Sequence, residues 1–137
     1  YLQKKSTMSI KLIRIAIVFG LISIILGAFG AHALKAVLSE QQLTSFETGV
    51  RYQMYQALFL LFVATTNFLT DKAKKITTII LSIGVLFFSG SIYLLATQEL
   101  SGINFKFLGP ITPIGGLLIM ISWIYVAFCV GKQKNSN

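Results

Sequence analysis

Four segments of this chain are apolar over the length that a helix needs to cross a lipid bilayer, and this feature limits the possible folds most strongly. They cover about 13–34, 52–69, 76–96 and 111–130. A spanning helix needs about 20 mostly apolar residues, and backbone in lipid is satisfied only in helices and closed barrels. These segments are too long and too evenly apolar for barrel strands. The sequence therefore predicts an all-α membrane protein, a four-transmembrane-helix bundle in one integral membrane domain, residues 1–137.

The composition agrees with a membrane protein and argues against nucleic acid as a partner. Of the 137 residues, 55% are hydrophobic and 12% are charged, whereas a soluble domain carries about a quarter charged residues. The formal net charge is +8, but the basic residues lie in short clusters beside the apolar segments. Clusters in that position set membrane orientation and attract anionic lipid headgroups. We therefore expect membrane lipids as partners and no nucleic acid.

The distribution of Lys and Arg predicts the orientation, because cytoplasmic loops carry an excess of these residues. Most of them fall on the side of the chain termini and of the join between the second and third segments: Lys4, Lys5, Lys11, Arg14, Lys72, Lys74, Lys75, Lys132 and Lys134. The opposite, outer side carries Lys35, Arg51 and Lys106. The N-terminus and the C-terminus are therefore both predicted to be cytoplasmic.

A polar stretch before the second apolar segment carries a helix start signal. Ser39 is followed three residues later by Gln42, which is the spacing of a capping box. Apolar residues then recur at helical spacing: Leu43, Phe46, Val50, Met54 and Leu58. The pattern predicts one helix from about Glu40 to Leu69, whose residues 40–51 form an amphipathic extension at the outer surface. A kink or a break near Gly49 is an open alternative.

The start of the chain admits more than one interpretation. The first residue is Tyr1, so the native start could be Met8 with an extension before it. Basic residues, an apolar run and the triplet Ala31-His32-Ala33 also resemble a signal peptide with its cleavage site. The apolar run is longer than the roughly 7–15 residues typical of such a signal. We therefore expect the first segment to remain as a span.

Small residues inside the apolar segments predict where helices pack closely. In lipid, helix association depends on close packing, and small side chains let backbones approach. The predicted helix-packing residues are Gly20, Gly27, Gly30, Ala31, Gly84, Gly90, Gly115 and Gly116.

Polar residues converge at the outer ends of the segments when the predicted orientation is applied. The candidate outer polar cluster consists of His32, Glu47, Arg51, Gln53, Gln56 and Tyr93. Glu47 and Arg51 are four residues apart, so they share one face of a helix. His32 either joins this pair or reaches the headgroup region. With one histidine and the single cysteine Cys129, no metal site, cofactor site or catalytic set is indicated.

Four motifs in order make the chain resemble a known family. They are "GAFGAH" (27–32), "RYQMYQAL" (51–58), "SGSIY" (89–93) and "GPITPIGG" (109–116). Together they resemble domain of unknown function 423, a family of small bacterial membrane proteins. The resemblance implies a four-span protein of the bacterial inner membrane and no established activity. The family has histidine where this chain has Gln56, which argues against a mechanism that needs two histidines.

These observations favour a non-enzymatic structural or accessory protein that packs against a larger membrane protein complex, a second copy of itself, or lipid. The alternative is a small transporter or channel component with an outward-facing polar cavity lined by Gln53, Gln56, Tyr93 and Thr112. An enzyme that acts on lipid, with His32 as base and Arg51 at a headgroup phosphate, rests on the fewest residues. Ionisable residues near the midplane mark most ion-coupled transporters, and the segments lack them there.

Overall fold

The computed structural model describes residues 2–132, with side chains from residue 7 onward, and these residues form helices joined by short connections. The helices in chain order are α1 (Leu2–His32), a 3₁₀ turn (Leu34–Ala36), α2 (Glu40–Thr65), α3 (Asp71–Val85), a π-helix (Leu86–Gly90), α4 (Ser91–Ala96), α5 (Gln98–Ser101), a 3₁₀ turn (Lys106–Leu108) and α6 (Ile111–Cys129). The described part of the chain is therefore all-helical, as predicted. The side chains of Lys4, Lys5 and Lys134 lie outside the described residues.

The capping box predicted at the start of α2 is confirmed. The Ser39 hydroxyl accepts from the backbone N of Gln42 at 3.2 Å, and the Gln42 side chain accepts from the backbone N of Ser39 at 2.9 Å. These bonds satisfy donors that the first turn of a helix leaves free. α2 then continues through Gly49 without a break, so the alternative of a helix break there is wrong.

α2 ends at Thr65, four residues before the predicted end at Leu69. The helix stops because Thr66 is extended, with φ −72° and ψ 147°. The next helix starts almost at once, since the Thr70 hydroxyl accepts from the backbone N of Ala73 at 3.1 Å and caps α3. The short connection therefore contains two polar residues with capping or turn roles, which apolar periodicity alone does not register.

Three helical stretches are long and apolar enough to cross a membrane, namely Thr7–Ala36, Asp71–Ala96 and Lys106–Cys129. They correspond to the first, third and fourth predicted segments, and the first begins well before the predicted residue 13. α2 is not among them, because polar side chains occupy much of its first half. By length and composition, the described chain thus holds three candidate spans where the sequence predicted four.

Successive long helices run antiparallel and pack in a row. α1 packs along α2, α2 packs against the continuous helix Asp71–Ala96, which we call the rod, and the rod packs along α6. α1 and α6 share no substantial contact among the described residues. α1 and α6 therefore lie on the two sides of α2 and the rod, although residues of all four long helices meet in one central cluster. We call the two ends of this row the His32 end, where α2 begins, and the Lys74 end, where α2 ends.

Apolar contacts hold the row together at three heights. The cluster at the His32 end consists of Leu34, Phe46 and Ala96. The central cluster consists of Ala16, Leu60, Leu81, Val85 and Ile119. The cluster at the Lys74 end consists of Val63, Leu69, Ala73 and Val126. Most large apolar side chains of α1 and α6 lie outside these clusters and are exposed, as expected of helices that face lipid.

Candidate functional site

Small residues on α1 face α2. Cβ atoms added at Gly20, Gly27 and Gly30 would lie 3.2 to 3.7 Å from side chains of α2. Between them, Ser23 is 1% exposed and its Oγ donates to a backbone carbonyl oxygen of α2 at 2.8 Å. Ala31, which was predicted in this contact, is exposed because it lies at the margin of the buried stripe. The α1–α2 contact thus consists of glycines against side chains, with one buried serine.

The rod and α6 approach each other backbone to backbone. A Cβ atom added at Gly115 would overlap the backbone N of Phe88 and would lie 2.8 Å from the Gly84 carbonyl oxygen. At Gly116 the added atom would lie 3.6 Å from the Phe88 ring, which is an ordinary contact. At Gly90 it would meet nothing within 4 Å. Gly90 therefore takes no part in the packing, in contrast to its prediction.

The close approach at Gly115 coincides with the π-helix of the rod. A π-helix shifts the hydrogen-bond ladder by one residue, and such segments are rare. Ser91 Oγ lies within hydrogen-bond distance of the carbonyl oxygens of Phe87 and Phe88 and of Thr112 Oγ1. Since a serine hydroxyl carries one hydrogen, Thr112 donates to Ser91 when Ser91 donates to a carbonyl. The hydrogen bond between Ser91 and Thr112 therefore joins the rod to α6 beside the π-helix.

Gln53 joins three helices inside the molecule. Its side chain is 4% exposed. Its Nε2 donates to the carbonyl oxygen of Phe19 on α1 at 2.9 Å, and its Oε1 accepts from the Tyr93 hydroxyl on α4 at 2.8 Å. A buried amide without partners is costly in an apolar environment. The two bonds remove this cost, and they fix α1, α2 and the rod relative to one another.

Gln56 faces a different neighbour from Gln53. Its side chain is 5% exposed, and its Oε1 accepts from Trp123 Nε1 on α6 at 2.8 Å. The Trp123 ring stacks on Phe59 with ring centroids 3.9 Å apart. One edge of the indole thus satisfies a buried amide while its other side is exposed. The structure brings Gln53 and Gln56 into the interior, but Gln53 bonds to α1 and α4 whereas Gln56 bonds to α6.

Gly49 forms a close helix contact although it is not among the predicted packing glycines. A Cβ atom added there would lie 2.8 Å from Tyr93 Cε1, and its carbonyl oxygen accepts from Ser89 Oγ at 2.8 Å. A glycine in a helix interior lowers helix stability by about 1 kcal/mol relative to alanine. Because of this cost, a glycine inside a predicted helix indicates that another helix approaches closely there, and Gly49 could have been identified from the sequence on this basis.

The charged residues of the predicted cluster lie outside the buried network. His32, Glu47 and Arg51 are all exposed. Arg51 donates to Thr48 Oγ1 at 3.2 Å, and no ion pair joins it to Glu47 within the described chain. The structure therefore separates the predicted cluster into a buried part, which contains Gln53, and an exposed charged part. Among the described residues, no hydrogen bond or ion pair joins His32 to Glu47 or Arg51.

The Lys74 end holds a buried cation, although the charge pattern of the sequence places Lys74 in a basic cluster beside an apolar segment. Lys74 is 2% exposed, and its Nζ donates to the carbonyl oxygen of Ala64 at 3.2 Å. A cation there also interacts favourably with the negative end of the α2 dipole. Nearby in sequence, Thr77 Oγ1 and Ser82 Oγ are buried without a hydrogen-bond partner in the described part of the chain.

A cavity lined by both polar and apolar residues opens at the His32 end, between α2, α4 and α6. It has a volume of about 290 Å³ and is lined by Gln41, Gln42, Ser45, Ile92, Leu95, Ala96 and Thr112. Of the four residues predicted to line an outward cavity, only Thr112 belongs to this lining. Among the described residues, no three His, Cys, Asp or Glu side chains lie together in a way that could hold a metal ion.

Comparison with known proteins adds relatives of similar length. The model of the family described as protein of unknown function DUF423 matches residues 26–116. The chain is 39% identical over 117 residues to the UPF0382 membrane protein YwdK of Bacillus subtilis, covering 82% of this chain and 89% of that protein. It is 37% identical over 116 residues to a UPF0382 membrane protein of Haemophilus influenzae, covering 85% and 90%. No solved structure matches the chain.

Proposed function

The chain belongs to the DUF423 family of membrane proteins of unknown function, and we propose that it acts as a non-enzymatic accessory protein. In this proposal it crosses the bacterial inner membrane four times, with both termini in the cytoplasm, and packs against a larger membrane protein complex or a second copy of itself. Its role is to occupy and stabilise a position in an assembly, without turnover of a substrate.

The antiparallel pairing of α1 and α2 supports the proposal that α2 crosses the membrane in addition to the three candidate spans. Gly30 of α1 faces Phe46 near the start of α2, and Gly20 faces Ala57 further along. α2 thus runs beside α1 over a large part of its length, and its 26 residues measure about 39 Å at 1.5 Å per residue. The hydrocarbon core is about 30 Å thick. Because Gln53 and Gln56 are buried, α2 keeps these two amides away from lipid although its mean hydropathy is modest.

The observation that carries the proposal is that the buried amides are occupied by partners inside the chain. Gln53 binds Phe19 and Tyr93, and Gln56 binds Trp123. A transport pathway or a catalytic centre needs polar groups that are free to meet a ligand. Hydrogen bonds between helices instead act as attachments in membrane proteins, which is what an accessory protein requires.

Exposed apolar side chains along α1 support an interaction with another membrane protein. α1 packs mainly on α2, and a flank of α1 beside this contact presents exposed large branched side chains, including Ile17 at 56% exposed and Ile24 at 61%. These positions are seven residues apart, so they lie on one stripe. A regular stripe of stiff β-branched side chains loses little rotamer entropy on packing, which suits a helix–helix contact.

Photo-crosslinking in native membranes tests this proposal. A photoreactive amino acid at position 17 or 24 should give an adduct of defined mass with a partner protein, while one at Phe128, which is 70% exposed on α6, serves as the matched control. An adduct at twice the mass of the chain identifies a second copy. Absence of a protein adduct at every position, together with recovery as a lone monomer from lipid-preserving extraction, would contradict the proposal.

The cavity at the His32 end favours a transporter or channel component as the second candidate. It opens outward under the proposed orientation and contains Gln41 and Thr112. In liposomes, this function predicts an ion or solute flux above that of protein-free vesicles, reduced by Gln41→Leu and unaffected by Lys35→Gln. A flux equal to that of empty vesicles for wild type, Gln56→Leu and Arg51→Ala would remove this candidate.

A further inference from the structure

A second groove lies on the side of the molecule where α2 faces the π-helix and α6. It has a volume of about 310 Å³ and is lined by Thr48, Tyr52, Phe88, Gly116, Ile119 and Met120. We propose that this groove binds one glycerophospholipid, with an acyl chain along the groove and the phosphate at Arg51. The inference goes beyond the accessory function and does not depend on a protein partner.

The shape of the groove suits one hydrocarbon chain. Tyr52 and Phe88 form one part of the lining, with their ring centroids 5.3 Å apart in an edge arrangement. Gly116 leaves space in the groove, because the missing side chain would otherwise come into contact with the Phe88 ring. Ile119 and Met120 continue the lining one helical turn further along α6. The volume is at the lower end of the roughly 300–1,000 Å³ of ligand clefts, so it holds part of a lipid.

A cation stands at the end of the groove that faces the His32 end. Thr48 lines the groove, and Arg51 donates to its Oγ1 at 3.2 Å, which brings the guanidinium to the groove. Arg51 is exposed and forms no ion pair within the described chain, and a guanidinium has five N–H donors. Glu47 shares the face of Arg51 one helical turn before it, while Tyr52 and the groove lie on the other flank of Arg51. The free donors therefore suit a phosphodiester, which arginine binds with two parallel hydrogen bonds.

A natural fluorescent reporter lies on α6 one helical turn beyond the residues that line the other end of the groove. Trp123 is the single tryptophan of the chain, and it follows Ile119 and Met120 by four and three residues on α6, so it shares their face. Its ring is 48% exposed. An acyl chain that enters at Arg51 and follows the groove would end near this indole. Quenching of its fluorescence by brominated acyl chains therefore reports occupancy of the groove.

The test titrates brominated phosphatidylcholine into the purified full chain in a phosphate-free detergent, with brominated diacylglycerol as the probe that lacks phosphate. Phosphatidylcholine has no net charge, so general attraction to the basic chain does not contribute. We expect saturable quenching at a lower mole fraction of phosphatidylcholine than of diacylglycerol. Arg51→Gln should raise the mole fraction for half quenching up to about fivefold, the range of an exposed charge contact, while Lys35→Gln should not change it.

Filling the groove provides the second arm of the test. Gly116→Leu should abolish the saturable quenching, whereas Gly90→Leu, at a glycine that faces open space, should leave it intact. If Gly116→Leu does not fold, Met120→Phe narrows the groove from an exposed wall position and replaces it. If quenching were linear and equal in wild type and in Gly116→Leu, lipid binding in the groove would be contradicted. If phosphatidylcholine and diacylglycerol gave half quenching at equal mole fractions, the proposed phosphate contact at Arg51 would be wrong.

Discussion

The α1–α2 contact and the rod–α6 contact both depend on glycine, but glycine acts differently in each. On α1 the glycines face side chains of α2, at distances of 3.2 to 3.7 Å from an added Cβ. On α6, Gly115 faces the backbone of the rod, where an added Cβ would overlap the backbone N of Phe88. Side chains can move to accept a methyl group, whereas a helix backbone cannot. The two contacts should therefore differ strongly in their tolerance of substitution.

The α1–α2 contact and the rod–α6 contact also differ in their hydrogen bonds. Across α1 and α2, Ser23 and Gln53 bind backbone carbonyl oxygens of the opposite helix. Between the rod and α6, the bond of Ser91 with Thr112 lies beside the π-helix, and the rest of the approach is van der Waals packing. Close contact of glycines with side chains, supported by interhelical hydrogen bonds, and backbone contact with few such bonds are both known solutions in lipid. This chain combines them in one small row of helices.

Gly115→Ala should have the largest effect of the variants that compare the two contacts. The methyl group would force the rod and α6 apart, and overpacking of this kind costs about 3 kcal/mol. The expected result is a large fall in the midpoint of thermal unfolding in detergent. Gly90→Ala is the matched control, and because this position is open it should be neutral or slightly stabilising. An equal midpoint for Gly115→Ala and wild type would contradict the backbone contact.

Gly27→Leu should come second, with a cost of about 2 kcal/mol, because the added side chain must displace Val50 in the α1–α2 contact. An added Cβ at Gly27 lies 3.3 Å from Val50 Cγ1, so Gly27→Ala should cost much less. The comparison of the two Gly27 variants by thermal unfolding measures how far α2 side chains can yield. If Gly27→Leu assembled with the stability of wild type, the α1–α2 contact would not be where we place it.

Gln53→Leu should have a smaller effect of about 1 kcal/mol, in the range of interhelical hydrogen bonds in lipid. It removes the acceptor of the Tyr93 hydroxyl and the donor to the Phe19 carbonyl. A double-mutant cycle with Tyr93→Phe isolates the Gln53–Tyr93 bond, and we expect a positive coupling energy. Additive effects of the two substitutions would show that this bond contributes nothing to stability.

His32→Gln should have the smallest effect, within about 0.5 kcal/mol, as is usual for an exposed side chain without specific contacts. His32 is exposed at the end of α1. Circular dichroism and thermal unfolding of the variant should overlay those of wild type. A destabilisation as large as that of Gln53→Leu would indicate that His32 has a partner. This result would support the predicted contact of His32 with Glu47 and Arg51.

The sequence predicted the helices well and their contacts only in part. The segment 111–130 nearly coincides with α6, and the capping box fixed the start of α2, because hydropathy and capping depend on neighbouring residues. The packing role of Gly115 was also predicted. Gly90 and Ala31 carry the same small-residue signal and yet lie outside the contacts. A small side chain permits a close approach, but the rotation of the helix decides whether a neighbour is there.

The sequence by itself thus determined the membrane class, the helical segments, the signals that start them and the small residues that permit close packing. Only the tertiary structure decided that Gln53 binds Phe19 and Tyr93, residues 34 and 40 positions away in the chain. It likewise decided that the exposed charges do not join the buried amides. The physical reason is that such contacts depend on how distant helices are rotated and paired, which no local pattern of residues encodes.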